Sequence, residues 1–165
     1  MSKILFIDIH KDNIYEPIQF INYNTNNIID DIIPNKLYIG NSNSNNIFYL
    51  QKHNITHVVC VEELPPIKYP NIYYTHISIN EKNPPTLTEL FNNVFEMIEK
   101  SETTLIYCYK GVSRSATFIC AYLMKKYNLT YTSALIFLKN RRTYVDINIS
   151  LINELIDYEY YLHDK

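Results

Sequence analysis

The chain contains no tryptophan, only two glycines and only three cysteines among its 165 residues. Three cysteines are an odd number and do not supply the disulfide framework that holds small secreted domains together. The apolar run at the N-terminus is interrupted by Asp8, which is too early for a signal peptide. We therefore expect a reducing location, cytoplasmic or otherwise intracellular.

The sequence also lacks a stretch approaching the roughly 18 uncharged apolar residues that a membrane span needs. The formal net charge is −2 and the isoelectric point is about 6.2. Nonspecific nucleic-acid binding requires a basic field, which this charge does not provide. We expect no membrane and no nucleic-acid partner. The five histidines show no ligand spacing, so we expect no metal and no cofactor.

The length and the 47% hydrophobic content fit one compact domain. Short apolar pieces separated by asparagine-rich stretches fill residues 1–32, which we assign to an N-terminal extension of unknown role. We assign residues 33–165 to the domain. Nothing in the pattern specifies an oligomeric state.

From Ile33 onward, short β-branched runs alternate with amphipathic segments, a pattern typical of an α/β fold. The predicted strands are residues 36–39, 55–61, 72–79 and 103–107. Helices are predicted at residues 45–53 and 88–100, and three more amphipathic stripes follow Cys108. Thr86 and Glu89 have the spacing of a capping box at the start of the second helix.

The segment from Cys108 to Ser115 lies between a predicted strand and a predicted helix. A strand, a tight loop and a helix N-terminus aim backbone N–H groups at one point and so bind an anion the size of phosphate. Gly111 permits the turn, and Arg114 offers a planar fork to phosphate oxygens. In that environment Cys108 is stabilised as a nucleophilic thiolate, and Ser115 can donate a hydrogen bond to its sulfur. The predicted phosphate-binding residues are Tyr109, Lys110, Gly111, Val112, Ser113 and Arg114.

The pattern Cys-x-x-Gly-x-Ser-Arg-Ser resembles the active-site loop of the dual-specificity protein phosphatases. The resemblance extends from Ile33 to Tyr161, and Asn148 occupies the place of a family asparagine that braces the loop. It implies a single α/β domain with a central, mostly parallel sheet of four to five strands flanked by helices in three layers. It also implies hydrolysis of phosphotyrosine and phosphoserine or phosphothreonine in protein substrates through a phosphocysteine intermediate.

The chain departs from the family at two positions. Tyr107 stands where the family usually has a histidine that supports the loop, so the same support is expected of Tyr107. The family's general acid is an aspartate, but no aspartate lies between Asp31 and Asp146. Matching residues 77–81 to the family's strand and aspartate places Glu81 at the acid position, where a carboxyl group has the same chemistry.

Two other functions and one other cysteine role remain open from the sequence. The chain could be a pseudophosphatase that binds phosphoproteins with little turnover, or a phosphatase acting on RNA 5′-phosphates or phosphoinositides. Cys60 could form a protective disulfide with Cys108, although a small buried residue is the preferred interpretation. Cys120 lies on an apolar helix stripe and is predicted to be core.

Overall fold

The computed structural model describes residues 27–164. Within this range the strands are β1 (Ile29–Ile33), β2 (Leu37–Gly40), β3 (His57–Cys60), β4 (Tyr73–His76) and β5 (Thr104–Tyr107). The α-helices are α1 (Ile47–Lys52), α2 (Thr88–Lys100), α3 (Arg114–Tyr127), α4 (Tyr131–Arg141) and α5 (Ile149–His163), and a 3-10 turn spans Ser42–Ser44. The predicted helix at 88–100 is therefore confirmed at both ends.

The strands form one sheet in the order β1-β2-β5-β3-β4. Only β1 is antiparallel to its neighbour; the pairs β2–β5, β5–β3 and β3–β4 are parallel. Gly40 and Cys60 both lie opposite Tyr107, so three strands end together at one edge of the sheet. The carboxyl edge of a parallel sheet is where ligands bind in α/β folds, and Cys108 is the first residue beyond this edge.

The two faces of the sheet carry separate apolar clusters, because successive side chains of a strand point to opposite faces. On one face, here called the α1 face, Leu50 of α1 packs with Cys60 and Tyr107. On the other, the α3 face, Ile106 and Cys108 join the larger cluster that includes α2, α3, α4 and α5. Helices thus cover both faces, and the predicted three-layer α/β domain is confirmed.

The first strand differs from the sequence prediction, which counts residues 29–32 with the N-terminal extension. In the structure Ile32 is fully buried and β1 pairs with β2, so these residues belong to the sheet. The sequence of β1 does not alternate between apolar and polar residues, because the buried position 30 is an aspartate. Residues 1–26, the remainder of the predicted extension, lie outside the described residues.

The capping box predicted for α2 does not form. Leu87 occupies the N-cap position without a side-chain hydrogen bond, and its backbone N–H donates to Glu154 Oε2 of α5 at 2.8 Å. A carboxylate from a distant helix thus satisfies one of the free amides at the start of α2. None of the helices between residues 27 and 164 is long and apolar enough to cross a membrane.

Candidate active site

The loop between β5 and α3 is the centre of the site. Cys108 leaves the central strand with its backbone N–H donating to the carbonyl of Gly40 at 3.4 Å, and its side chain is only 2% exposed. Arg114 begins α3 six residues later. The thiol therefore lies at the carboxyl edge of the sheet and at the N-terminus of a helix, where the helix dipole favours a negative charge.

Two carbonyl groups of this loop are bonded to donors outside it. The carbonyl of Tyr109 accepts two hydrogen bonds from Ser42, one from the backbone N–H at 3.2 Å and one from the Ser42 hydroxyl at 3.1 Å. The carbonyl of Val112 accepts from the N–H of Asp146 at 3.0 Å. These bonds turn both carbonyl oxygens away from the interior of the loop.

A third carbonyl, that of Gly111, is held by a buried arginine. Arg142 is fully buried, and its Nε donates to the Gly111 oxygen at 2.7 Å. Its Nη1 forms an ion pair with Asp30, which is also buried. The sequence does not single out either residue as functional, since they lie 112 positions apart and both are outside the cysteine motif.

The outward carbonyls determine where the loop's N–H groups point. In a planar trans peptide the C=O of one residue and the N–H of the next point in opposite directions. The N–H groups of Lys110, Val112 and Ser113 therefore face the interior of the loop, and no protein acceptor bonds them within residues 27–164. Together with the free amides of the α3 N-terminus, they form an anion-binding cradle.

Ser115 contacts the predicted nucleophile directly. Its Oγ lies 3.1 Å from Cys108 Sγ, and both side chains are buried. A hydroxyl at this distance can donate to a thiolate and stabilise its negative charge. The structure thus brings together Cys108, Ser115 and the cradle, as the motif predicts.

Arg114 and the exposed Tyr109 line a depression beside the loop together with Glu62, Glu63 and Leu64. Burial raises the pKa of Glu62, and the nearby charges of Arg114 and His76 partly oppose that change. Glu62 Oε1 is buried and has no hydrogen-bond partner in the described part of the chain. This wall of the site therefore combines one guanidinium with two carboxyl groups.

Lys110 lies on the other side of the loop. Its side chain is exposed at a polar groove lined also by Asn41, Ser42, Asn43 and Tyr144. Tyr109 borders both this groove and the depression at Arg114. Lys110 therefore contributes positive charge at the rim, outside the cradle.

Tyr107 does not direct its side chain at Cys108, because the two residues lie on opposite faces of the sheet. Burial raises the pKa of Tyr107 above its ordinary value, and a hydrogen bond with Cys60 raises it further. The backbone carbonyl of Tyr107, the last residue before the loop, accepts from the N–H of Val61 at 2.9 Å and continues the pairing of β5 with β3.

The same separation of faces decides the role of Cys60. Its side chain packs on the α1 face beside Tyr107 and is fully buried, whereas Cys108 faces α3. The disulfide between Cys60 and Cys108, which the sequence leaves open, is therefore excluded. The preferred interpretation of Cys60 as a small buried residue is confirmed. Cys120 is fully buried in α3, as predicted for a core residue.

Asn148 contacts the loop through its backbone. Its N–H donates to Ser113 Oγ at 3.0 Å, and its side-chain oxygen accepts from the N–H of Ser150 and caps α5. The side chain therefore fixes the helix start, and the helix start in turn holds the loop.

Glu81 lies in a turn that also rests on the start of α5. The Ser150 hydroxyl donates to the carbonyl of Lys82 at 3.2 Å, and the Asn80 side chain accepts from the Lys82 N–H at 3.0 Å. Glu81 is half-buried, and its Oε2 has no hydrogen-bond partner among residues 27–164. The N-terminus of α5 thus contacts both the cysteine loop and the turn that carries the predicted acid.

The described residues contain no cluster of histidine, cysteine and carboxylate side chains that could hold a metal ion.

A family model described as "Dual specificity phosphatase, catalytic domain" matches residues 37–161. The chain is 33% identical over 139 residues to the probable rhodanese domain-containing dual specificity protein phosphatase of Dictyostelium discoideum, covering 80% of this chain but 29% of that protein. It is also 33% identical to dual specificity protein phosphatase 14 of Mus musculus, covering 81% of this chain and 70% of that protein. The chain thus spans less than a third of the length of the Dictyostelium relative.

Solved structures show the same fold. The human tyrosine phosphatase-like serine/threonine/tyrosine-interacting protein superposes with a TM-score of 0.74 at 27% identity. The match covers 81% of this chain and 96% of that one.

Proposed function

Because the chain belongs to the dual-specificity phosphatase family, with residues 37–161 matching the catalytic domain, we propose that it hydrolyses phosphotyrosine and phosphoserine or phosphothreonine in proteins. One observation carries the proposal. The buried thiol of Cys108 is hydrogen-bonded to Ser115, and it lies beside Arg114 at a loop whose N–H groups face inward. Such an arrangement holds a phosphoryl group and presents a sulfur nucleophile to its phosphorus.

In the first step the Cys108 thiolate attacks phosphorus in line with the leaving oxygen. The S–P bond forms and the P–O bond to the substrate breaks. The inward N–H groups and Arg114 bind the equatorial oxygens, where charge develops in the transition state. Glu81 donates its proton to the leaving oxygen, so the tyrosine, serine or threonine hydroxyl leaves neutral.

In the second step water hydrolyses the phosphocysteine. Glu81, now ionised, accepts a proton from the attacking water, the new P–O bond forms and the S–P bond breaks. The sulfur leaves as a thiolate, and the hydroxyl of Ser115, 3.1 Å away, donates to it. Inorganic phosphate is released, and the free thiolate of Cys108 is restored.

The charges around the loop favour a single phosphate as substrate. Glu62 and Glu63 line the depression at Arg114, and Lys110 is the cation at the opposite rim. Two carboxyl groups repel additional phosphates, which disfavours phosphoinositides and RNA 5′-phosphates. A phosphorylated protein side chain carries one phosphate to this site and fits better.

A binding protein with little turnover is the second candidate. Tyr107 in place of histidine and the absence of an aspartate acid favour it, and one similar human protein is named phosphatase-like. The contact between Cys108 and Ser115 argues for turnover, since a protein that only binds phosphate has no need of an activated thiol.

The test is the release of phosphate from para-nitrophenyl phosphate and from a phosphotyrosine peptide by the purified protein. We expect Cys108→Ser to abolish turnover and retain peptide binding, because the cradle survives while the nucleophile is lost. Cys60→Ser is the matched control: this residue lies on the opposite face, and a serine hydroxyl can keep the bond to Tyr107.

Full activity in Cys108→Ser would contradict the mechanism. Binding of the phosphopeptide by the unaltered protein without hydrolysis would instead support the second candidate.

A further inference from the structure

We propose that Arg142, oriented by Asp30, is a positioning residue that fixes the Gly111–Val112 peptide so that the Val112 N–H faces the phosphate. The inference rests on the proposed function, since it concerns the same loop. It assigns a role in catalysis to two residues that neither touch the phosphate nor belong to the cysteine motif.

Both charged side chains of the Asp30–Arg142 pair are buried. The Arg142 side chain is 0% exposed and that of Asp30 is 2% exposed. Removing two charges from water costs several kcal/mol per ion, and an apolar pair of similar size often gives equal or greater stability. Stability of the core alone therefore does not account for an ion pair at this position.

The guanidinium of Arg142 divides its hydrogen bonds among several partners. Nε donates to the Gly111 carbonyl at 2.7 Å, whereas Nη1 donates to Asp30 and to the Asn27 carbonyl, the latter at 3.1 Å. The guanidinium carbon, Cζ, also lies over the Tyr144 ring, 4.4 Å from the ring centroid. Because the guanidinium is rigid, Asp30 and Tyr144 together fix the direction in which Nε points.

The conformation of Gly111 brings the loop close to two neighbours. Its φ is +67°, and a Cβ added there would lie 2.5 Å from the Gly40 carbonyl oxygen and 2.7 Å from Arg142 Nη2. The loop is thus held between the end of β2 and the guanidinium. Glycine itself has wide conformational freedom, so the restraint on this peptide comes from its neighbours.

The consequence for phosphate binding follows from the planarity of the peptide. If the Gly111–Val112 peptide rotated by half a turn, the Gly111 carbonyl would replace the Val112 N–H inside the cradle. A carbonyl oxygen repels an oxyanion, so the rotated loop would lose one donor and gain one repulsive contact. The bond from Arg142 Nε excludes that rotation.

The experiment compares Arg142→Lys with Arg141→Lys. Arg141 is a matched control: its Nε donates to the Ile32 carbonyl at 2.8 Å and its guanidinium stacks on Phe137, away from the loop. A lysine at 142 keeps the charge beside Asp30 but cannot bond Asp30 and Gly111 in fixed directions. We expect kcat for para-nitrophenyl phosphate to fall about 10²-fold in Arg142→Lys, the effect of a small misplacement of catalytic groups, and to stay within about twofold in Arg141→Lys.

A second measurement separates positioning from folding. Affinities for orthovanadate and for inorganic phosphate are determined by calorimetry on variants shown by circular dichroism to be folded. We expect Arg142→Lys to weaken the binding of orthovanadate, which resembles the transition state, far more than the binding of phosphate. Arg141→Lys is expected to weaken the binding of neither anion. Because this readout needs no turnover, it remains informative if the proposed hydrolysis fails.

Equal kcat values and equal anion affinities in the two folded variants would overturn the proposal. If Arg142→Lys does not fold, Asp30→Asn, which keeps an oxygen for Nη1, replaces it in both measurements. If neither variant folds while Arg141→Lys does, the ion pair is a requirement of the fold and the proposal is rejected.

Discussion

The two loops that supply the proposed catalytic groups are held very differently. The carbonyls of Tyr109, Gly111 and Val112 in the cysteine loop are bonded to two separate parts of the chain, Ser42 beyond β2 and the segment between α4 and α5. Among residues 27–164, the turn that carries Glu81 is hydrogen-bonded to the rest of the domain through one side-chain contact, from Ser150 to Lys82, and otherwise through its own residues. The loop proposed to bind phosphate is thus held by the fold at several points, whereas the proposed acid lies on a turn with fewer restraints.

This difference has a chemical reason. Backbone donors stabilise an oxyanion best when they need no reorganisation during the reaction, so the cradle must be rigid. A general acid acts on leaving groups of different size, and a turn with fewer bonds can adjust to them. We expect the cysteine loop to contribute more to the rate than the turn that carries Glu81.

Arg114→Lys is expected to have the largest effect. A point ammonium cannot replace the bidentate fork on the equatorial oxygens, so we expect kcat/KM for a phosphotyrosine peptide to fall by about 10³ to 10⁵. Steady-state kinetics with the purified variant measure the change. A rate near that of the unaltered protein would show that the cysteine loop is not the site.

Glu81→Gln is expected to have a smaller effect that depends on the substrate. Loss of a general acid slows a basic leaving group by roughly 10² to 10⁴, whereas an aryl phosphate with a very acidic leaving group needs little protonation. We therefore expect a large fall in the rate of phosphotyrosine hydrolysis and a small fall in the rate with the activated aryl phosphate. A folding defect would lower both rates alike.

Glu62→Gln is the matched control for the preceding experiment, since Glu62 lies beside Arg114 and also has a buried oxygen with no hydrogen-bond partner in the part of the chain that the structure describes. Burial raises the pKa of Glu62, so this group stays protonated to higher pH than an ordinary glutamate. If Glu62 is the acid, its replacement and not that of Glu81 will remove the basic limb of the pH–rate profile.

Tyr107→His is expected to have the smallest effect on catalysis. The raised pKa keeps the Tyr107 phenol neutral across the working range, and its side chain faces away from Cys108. Burial would lower the pKa of a histidine there and keep it neutral near pH 7. We expect the acidic limb of the pH–rate profile to stay in place, while the free energy of unfolding falls by about 1 to 3 kcal/mol because of the buried imidazole.

A shift of the acidic limb of the pH–rate profile to lower pH in Tyr107→His would contradict this expectation. So would faster alkylation of Cys108 by iodoacetate at mildly acidic pH. Either result would show that position 107 acts on the thiol from the opposite face of the sheet.

Local features of the sequence predict much of this molecule. The bounds of α2 follow from its apolar face, and β5 with the cysteine loop follows from a contiguous motif. The predicted strand at 72–79 is shorter in the structure, Tyr73–His76, because β4 is an edge strand with exposed ends. Periodicity identifies an element more reliably than it identifies the point at which pairing stops.

Long-range partnerships could not be predicted. Asp30 and Arg142 meet across 112 residues, and an aspartate in a β-branched run gives no sign that it will be buried. The cap of α2 by Glu154 is likewise supplied from another helix, 67 positions away. Such contacts depend on which elements pack together, and that information is not present in any short segment.

The placement of the cysteines has a consequence for oxidative chemistry. The chain's three cysteines are all unpaired and buried, with Cys60 behind the sheet and Cys120 well inside α3. When peroxide converts the Cys108 thiolate to a sulfenic acid, neither of the other two sulfurs can condense with it as a resolving thiol. Recovery of the reduced form therefore depends on a small thiol entering from solution, and prolonged exposure leads on to the irreversible sulfinic and sulfonic acids.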